Sequence, residues 1–149
     1  MREILFRGKR RDNGEWIEGG FFAREEKCYI VVRRRYMPDT RDCDTTDYYE
    51  KHPTYKIEII EVIPETLGQY TGLIDKNGRK IFEGDIVEIP LFITCKEPTV
   101  AVVVWNELYA KFGLEAESIK TDFYYYFSDE MKVIGNLRDN PELLKGGEE

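Results

Sequence analysis

Short stretches of alternating apolar and polar residues dominate the chain, and they are rich in residue types that favour strands. No stretch of about 12 residues repeats its apolar positions at the helical spacing. The pattern predicts strands at residues 4–8, 15–22, 28–32, 55–63, 86–89, 99–105, 109–114, 123–127 and 131–134. A short helical turn is expected within residues 138–145. Many short strands separated by turns favour a mainly β fold, either a sandwich or a small barrel.

Glycine-containing turns connect several of these strands. Asp12-Asn13-Gly14 predicts a two-residue hairpin turn of type I′, which needs positive φ at both central residues. The segment 75–78 ends in Asn-Gly and predicts a second hairpin turn. Glu83 and Asp85 flank Gly84, and two close carboxylates can serve acid–base chemistry or bind a cation. We favour the alternative, a turn in which Gly84 takes positive φ and Asp85 bonds nearby backbone amides.

The strands group into an N-terminal β region, residues 1–63, and a second region, residues 64–149. The first contains a long polar stretch, residues 37–54, and loops of this length are uncommon in compact domains unless functional or mobile. Its acidic cluster lacks the central glycine and the spacing of a calcium loop, so we interpret it as a solvated acidic loop. The cluster consists of Asp42, Asp44, Asp47 and Glu50.

Composition narrows the class of protein. The 149 residues (17.6 kDa) include 8 Phe, 10 Tyr and 2 Trp, which supply core volume and argue against disorder. The chain shows neither a membrane-length apolar run nor a signal peptide, so we expect a soluble, cytoplasmic protein. Cys28, Cys43, Cys95 and His52 are too widely spaced for a zinc site. The sequence therefore predicts no metal and no cofactor.

The charge is unevenly distributed. The chain carries 22 basic and 29 acidic residues, which gives a net charge of −7. Residues 1–50 hold 11 of each sign, so the whole acidic excess lies in residues 51–149. This balance opposes general attraction to nucleic acids. Arg33, Arg34 and Arg35 form a local basic patch that could contact nucleic acid, or could form a charged strand end that prevents edge pairing. A second cluster comprises Arg7, Lys9, Arg10 and Arg11.

The glycine-rich segment from Gly68 to Gly72 is a candidate ligand turn. Closely spaced glycines next to Tyr70 and Thr71 could cradle a phosphate. Neither the dinucleotide pattern nor the P-loop pattern is present, and no helix is expected to follow. We favour a kinked strand with a bulge, since glycine within a strand usually marks a bulge or a close approach.

Five consecutive aromatic residues occupy positions 123–127: Phe123, Tyr124, Tyr125, Tyr126 and Phe127. In a strand, successive side chains point to opposite faces, so both faces would be aromatic. One face can pack into the core, and the other must contact a loop, a ligand or a second subunit. Because tyrosine is enriched at interfaces, we weigh an interface or ligand face equally against packing entirely within the chain, and the interface we predict is one of self-association.

Four blocks of sequence together resemble the YopX family of phage and prophage proteins. They are REILFRGK at 2–9 with NGEWIEG at 13–19, PETLGQYTGL at 64–73, DKNGRKIFEGDIV at 75–87 and VIGNLRDNPELL at 133–144. The resemblance implies a mostly β protein with an SH3-type barrel in its later part, near residues 64–137. It also implies a gene carried by temperate phages. It brings no catalytic residues with it.

These observations lead to three functional hypotheses. The first is a non-catalytic binding or accessory protein that self-associates, because no catalytic constellation is recognisable. The second is a regulator that binds nucleic acid through the arginine-rich surface, or an acidic mimic of DNA. The third is an enzyme that acts on a small phosphorylated ligand near Gly68–Gly72.

Overall fold

The computed structural model describes residues 1–36, 50–90, 99–116, 119–123 and 129–145. The protein is mainly β, as the alternation predicts. The strands are β1 (Phe6–Lys9), β2 (Trp16–Arg24), β3 (Lys27–Tyr36), β4 (Thr54–Val62), β5 (Gly68–Ile74), β6 (Lys80–Phe82), β7 (Asp85–Ile89), β8 (Thr99–Asn106), β9 (Lys111–Ala116), β10 (Ile119–Asp122) and β11 (Lys132–Asn136). Two short 3-10 helices are Pro64–Thr66 and Pro141–Lys145, and the second confirms the predicted C-terminal turn. Among the described residues, no helix has the length and apolar character that a membrane crossing requires.

The chain forms two compact units. One comprises Leu5–Leu67, and the other comprises Met1–Ile4 together with Gly68–Glu149. We call them the N-terminal unit and the C-terminal unit.

The N-terminal unit is built on antiparallel strands in the order β4-β3-β2-β1. Strand β2 pairs with two strands. Residues 16–19 pair with β1, and residues 20–24 pair with β3. The change of partner falls at Gly19-Gly20. Ile17, Ile30 and Val62 form the buried centre of this unit.

The first turn differs from its prediction. Of the residues in this turn, only Gly14 has positive φ (73°), so the type I′ assignment is wrong. The loop is longer than two residues and is closed by bonds from Arg10 N to Glu15 O (2.9 Å) and from Gly14 N to Arg10 O (3.0 Å). The reason lies in Asn13, whose side-chain oxygen accepts the amide of Glu15 at 3.0 Å. Because the asparagine side chain bonds the backbone in this way, the turn forms without a left-handed conformation at Asn13.

The C-terminal unit contains the hairpin of β5 and β6 and a five-stranded antiparallel sheet in the order β10-β9-β8-β7-β11. Its core is apolar and includes Ile81, Val87, Val103, Leu114 and Met131. Strand β10 was not predicted, because its sequence Ile-Lys-Thr-Asp has no apolar alternation. Over the described ranges the strand order is open, so the SH3-type barrel stays a prediction.

Two buried aspartates stabilise turns in the C-terminal unit. Asp75 is 4 % exposed and accepts the amides of Asn77 (2.8 Å), Arg79 (2.9 Å) and Val133 (3.0 Å). Burial acts to raise the pKa of Asp75, but the three amides outweigh it and hold the pKa below its ordinary value. Asp85 accepts the amide of Phe82 at 2.8 Å.

The Glu-Gly-Asp turn has the predicted structural form. Gly84 has a φ of 80°, which glycine adopts without strain. Its amide donates to Val103 O at 2.8 Å, which fixes the turn against β8. Burial raises the pKa of the neighbouring Glu83.

Candidate functional site

The surface with the most unusual composition lies on the hairpin of β3 and β4. Directly opposed residues of antiparallel strands share a face, so the register fixes what each face carries. On one face Ile30 opposes Ile60 and Cys28 opposes Val62, and these residues pack into the core. The opposite face carries four pairs: Tyr29 with Glu61, Val31 with Ile59, Arg33 with Ile57 and Arg35 with Tyr55. We call this face the outer face.

The outer face exposes large apolar side chains. Ile57 is 67 % exposed, Ile59 62 %, Tyr55 48 % and Phe22 44 %. Phe22 belongs to β2 and stacks on Tyr29, with ring centres 5.5 Å apart. Single exposed apolar residues are ordinary, but a contiguous group on one sheet face is characteristic of an interaction surface.

The arginine triplet is divided between the two faces of the hairpin. Arg33 lies over the ring of Tyr55, with its guanidinium carbon 3.6 Å from the ring centre. Arg34 points to the other face and forms an ion pair with Glu58 at 2.8 Å. Strand alternation therefore leaves only Arg33 and Arg35 on the outer face. The sequence shows three consecutive arginines, and only the strand geometry shows that they do not act together.

The second basic cluster is largely neutralised by neighbouring carboxylates and aromatic rings. Arg10 pairs with Asp12 at 2.6 Å, and Arg11 pairs with Glu61 at 2.9 Å. Arg7 is 8 % exposed and lies 4.9 Å from the ring centre of Trp16. These residues therefore do not add a second open basic patch to the outer face.

A groove of about 600 Å³ runs along β4, and we call it the edge groove. It lies between the segment Arg10, Arg11, Asp12 and residues of β4 from Lys56 to Glu61. Its charges are mixed, since it is lined by Lys56 and Glu58 as well as by the two arginines. Strand β4 stands at an end of the strand order, so the groove follows a sheet edge.

Comparison with known proteins identifies the family. The family model described as YopX protein matches residues 21–145, which is most of the chain. The chain belongs to the YopX family. Three of the four blocks that suggested the family lie inside the matched range, and the block at residues 2–19 lies before it. No curated protein matches this YopX chain at a significant level.

A solved structure supports the fold assignment. The crystal structure of protein EF1440 from Enterococcus faecalis is 21 % identical and has a TM-score of 0.51. The similarity covers 97 % of the YopX chain and 99 % of that chain. At this level of identity the likeness shows a shared fold, and a shared fold does not carry a function with it.

The glycine-rich segment of the YopX chain is held by its own backbone. A side chain at Gly68 would meet Glu83 O at 2.4 Å, and Tyr70 is buried against Phe82 with ring centres 5.5 Å apart. The hydroxyl of Thr71 donates to Ile81 O at 2.8 Å. The ladder between β5 and β6 is irregular over these residues, as the bulge interpretation predicts. These contacts give the segment a structural role, and ligand binding there stays a prediction.

Most of the aromatic run lies outside the described residues. Of the five, only Phe123 is described, and it is partly buried against the core of the C-terminal unit. The other four residues of the predicted self-association surface, 124–127, lie outside the described residues, so that surface, Phe123–Phe127, stays a prediction.

A second groove, of about 660 Å³, lies on the C-terminal unit along β8, β9 and β10. Trp105 and Tyr109 form part of its wall, and Trp105 makes an edge-to-face contact with Phe112 at 5.0 Å. Lys111 and Asp122 form an ion pair across it at 2.6 Å. The sequence does not indicate this groove, because its residues come together only through the register of three strands.

The other chemistry-bearing residues are dispersed. Within the described ranges, no three His, Cys, Asp or Glu side chains come close enough to hold a metal ion. Cys28 is a half-buried free thiol that packs against the N-terminal core. The acidic positions 42, 44 and 47 and the other two cysteines lie outside the described residues.

Proposed function

We propose that this YopX protein is a non-catalytic binding protein and that the outer face is its binding surface. The observation that carries the proposal is the exposure of Phe22, Tyr55, Ile57 and Ile59 on one face of a sheet. Burying such a group against a partner removes apolar area from water, which drives most protein association.

The composition of the outer face supports protein recognition. Aromatic residues and arginine are enriched at the centres of protein interfaces. Arg33 lies over Tyr55, so a partner carboxylate could bind an arginine whose side chain is already ordered. Ordering before binding lowers the entropic cost of association.

The finer parts of the proposal rest on the family resemblance. We place the gene in a phage or prophage, the protein in the cytoplasm of a bacterial host, and an SH3-type barrel in the later part of the chain. The protein acts as an accessory factor that binds itself or another phage or host protein.

The direct test is a pull-down from host lysate, with and without nuclease. The Ile57→Lys/Ile59→Lys variant introduces two charges on the outer face, at positions exposed enough that folding should be little affected. We expect the wild type to retain a protein partner after nuclease treatment and this variant to lose it. Ile74→Lys is the matched control, since Ile74 is a half-exposed isoleucine on β5. Equal capture by all three proteins would refute the outer face as the binding surface.

Binding of nucleic acid is the second candidate, and one observation favours it. Arg33 and Arg35 share the outer face with Tyr55, and single strands bind surfaces that combine cations with stacking aromatic rings. A mobility shift at low salt that is lost in the Arg33→Gln/Arg35→Gln variant would support it. A shift retained in that variant would exclude this surface, and no shift with wild-type protein would exclude the candidate.

A further inference from the structure

Within the part of the chain that the structure describes, the outer edge of β4 has backbone groups that no strand pairs with over a short segment. Arg11 N donates to Glu61 O at 3.0 Å and Ile63 N donates to Lys9 O at 2.8 Å, so these groups point away from β3. Backbone direction alternates every residue along a strand, so Tyr55, Ile57 and Ile59 present their N–H and C=O groups to the same side. Among the described residues, no strand pairs with this edge beside them.

The open segment has a defined length and a defined centre. Arg11 already occupies the carbonyl of Glu61 at one end. At the other end, the next residue with the same orientation is Pro53, which has no N–H to donate. Three residues remain available, and Ile57 is the middle one. The edge groove runs beside them and leaves about 600 Å³ for an added chain.

We propose that a second copy of this protein binds in the edge groove, with the two β4 strands antiparallel and centred on Ile57. In this register Ile57 forms a hydrogen-bonded pair with Ile57 of the second copy. Tyr55 and Ile59 then pair with Ile59 and Tyr55 of the second copy, so all three open residues are used in each chain. The inference deepens the proposed binding function, on which it rests, by naming one partner and joining two outer faces into one surface.

The charges along β4 favour a second copy of the chain as the partner, and they favour the register centred on Ile57. Centred on Ile57, the pairing places Lys56 opposite Glu58 of the second copy, and the symmetry repeats this contact. These are the closely spaced non-hydrogen-bonded pairs of an antiparallel ladder, where opposite charges attract most. A shift of one register step would place Glu58 opposite Glu58, or Lys56 opposite Lys56, at the same short distance.

The apolar residues add to the same arrangement. Tyr55, Ile57 and Ile59 of both copies would form one patch of six side chains on the joined sheet, arranged as three cross-strand pairs. Aromatic and β-branched residues are favourable neighbours across strands. In the single chain these three residues are among its more exposed large apolar side chains.

Charge reversal combined with light scattering tests the proposal. The wild type should be a dimer at micromolar concentration. Lys56→Glu and Glu58→Lys should each weaken the dimer by about tenfold or more, because each creates two like-charge contacts. An equimolar mixture of these two variants should form a heterodimer, and the Lys56→Glu/Glu58→Lys double variant should dimerise again.

Mixing the two variants distinguishes loss of the contact between copies from loss of folding. Glu58→Lys also removes the partner of Arg34, so its thermal unfolding must be measured. Recovery of dimer on mixing shows that both variants are folded and that the contact is between copies. Lys132→Glu is the matched control, since Lys132 opposes Glu88 within the C-terminal sheet, and this variant should dimerise as the wild type does.

Three outcomes would overturn the proposal: a monomeric wild type, a dimer that neither single variant weakens, or a mixture that does not recover. The second would indicate another self-association surface, such as residues 123–127. The pull-down distinguishes failure of the self-pairing proposal from failure of the proposed binding function. A monomer that still captures a host protein through the outer face contradicts self-pairing alone, and a dimer that captures nothing contradicts partner binding alone.

Discussion

Single buried polar groups determine much of the local structure. Asp75 fixes a turn and joins it to β11, because its carboxylate accepts amides from both segments. Thr71 and Asp85 act in the same way on neighbouring carbonyl and amide groups. Residues that looked like candidates for chemistry therefore satisfy backbone groups that would otherwise be buried without a partner.

Replacing Asp75 with alanine should destabilise the protein strongly. The change leaves three backbone amides without their acceptor, and we expect a loss of about 3 kcal/mol in the free energy of unfolding at pH 7. Urea denaturation followed by circular dichroism measures this loss. Asp12→Ala, which removes an exposed aspartate, is the control and should change stability little.

The effect of Asp75 should also depend on pH. Its pKa is lowered in the folded protein, so its contribution is complete above the ordinary pKa of aspartate and is lost as pH falls through the lowered value. The difference in stability between wild type and Asp75→Ala should therefore shrink as the pH falls from about 5 to values below the ordinary pKa of aspartate. A difference that stays constant over this range would show that the carboxylate charge is not responsible.

At the scale of elements, the alternation of apolar and polar residues predicted which segments form strands. It did not predict where each strand lies in its sheet. Thr54–Val62 follows the expected pattern closely, and its range was predicted within one residue. Its place at a sheet edge depends on long-range pairing, which one sequence does not reveal.

The turn at Asn13 was predicted wrongly because a side-chain bond competes with the left-handed backbone. Strand β10 was missed because pairing with β9, rather than its own residues, makes it a strand.

Two adjacent glycines of β2 should respond differently to substitution. A side chain at Gly19 would meet Val31 O at 2.3 Å, whereas one at Gly20 would find its nearest neighbour at 3.9 Å. We expect Gly19→Ala to lower stability by about 1–3 kcal/mol through overpacking. Gly20→Ala should be neutral or slightly stabilising, because alanine restricts the unfolded chain. Equal effects in thermal denaturation would contradict the close approach of β2 and β3 at Gly19.

At the scale of the molecule, composition and family were accessible from the sequence, and the proposed binding surface was not. The neutral charge of residues 1–50 conceals arginines that lie on both faces of one hairpin. The outer face could not be predicted, because its residues belong to three separate strands, β2, β3 and β4, and meet only through the register of those strands. The aromatic run at 123–127 is prominent in the sequence, whereas the outer face is formed by strands of the N-terminal unit.

Disulfide trapping at the centre of β4 tests the central claim most directly. In the proposed register, Ile57 faces Ile57 of the second copy with Cα atoms about 5.5 Å apart, which a disulfide can span. Two copies of Ile59 would lie about 14 Å apart along the strands, too far for a bond. Under mild oxidation we predict a covalent dimer for Ile57→Cys and no more than the wild-type background for Ile59→Cys. Equal crosslinking of both variants, or of neither, would contradict the pairing of two β4 strands about Ile57.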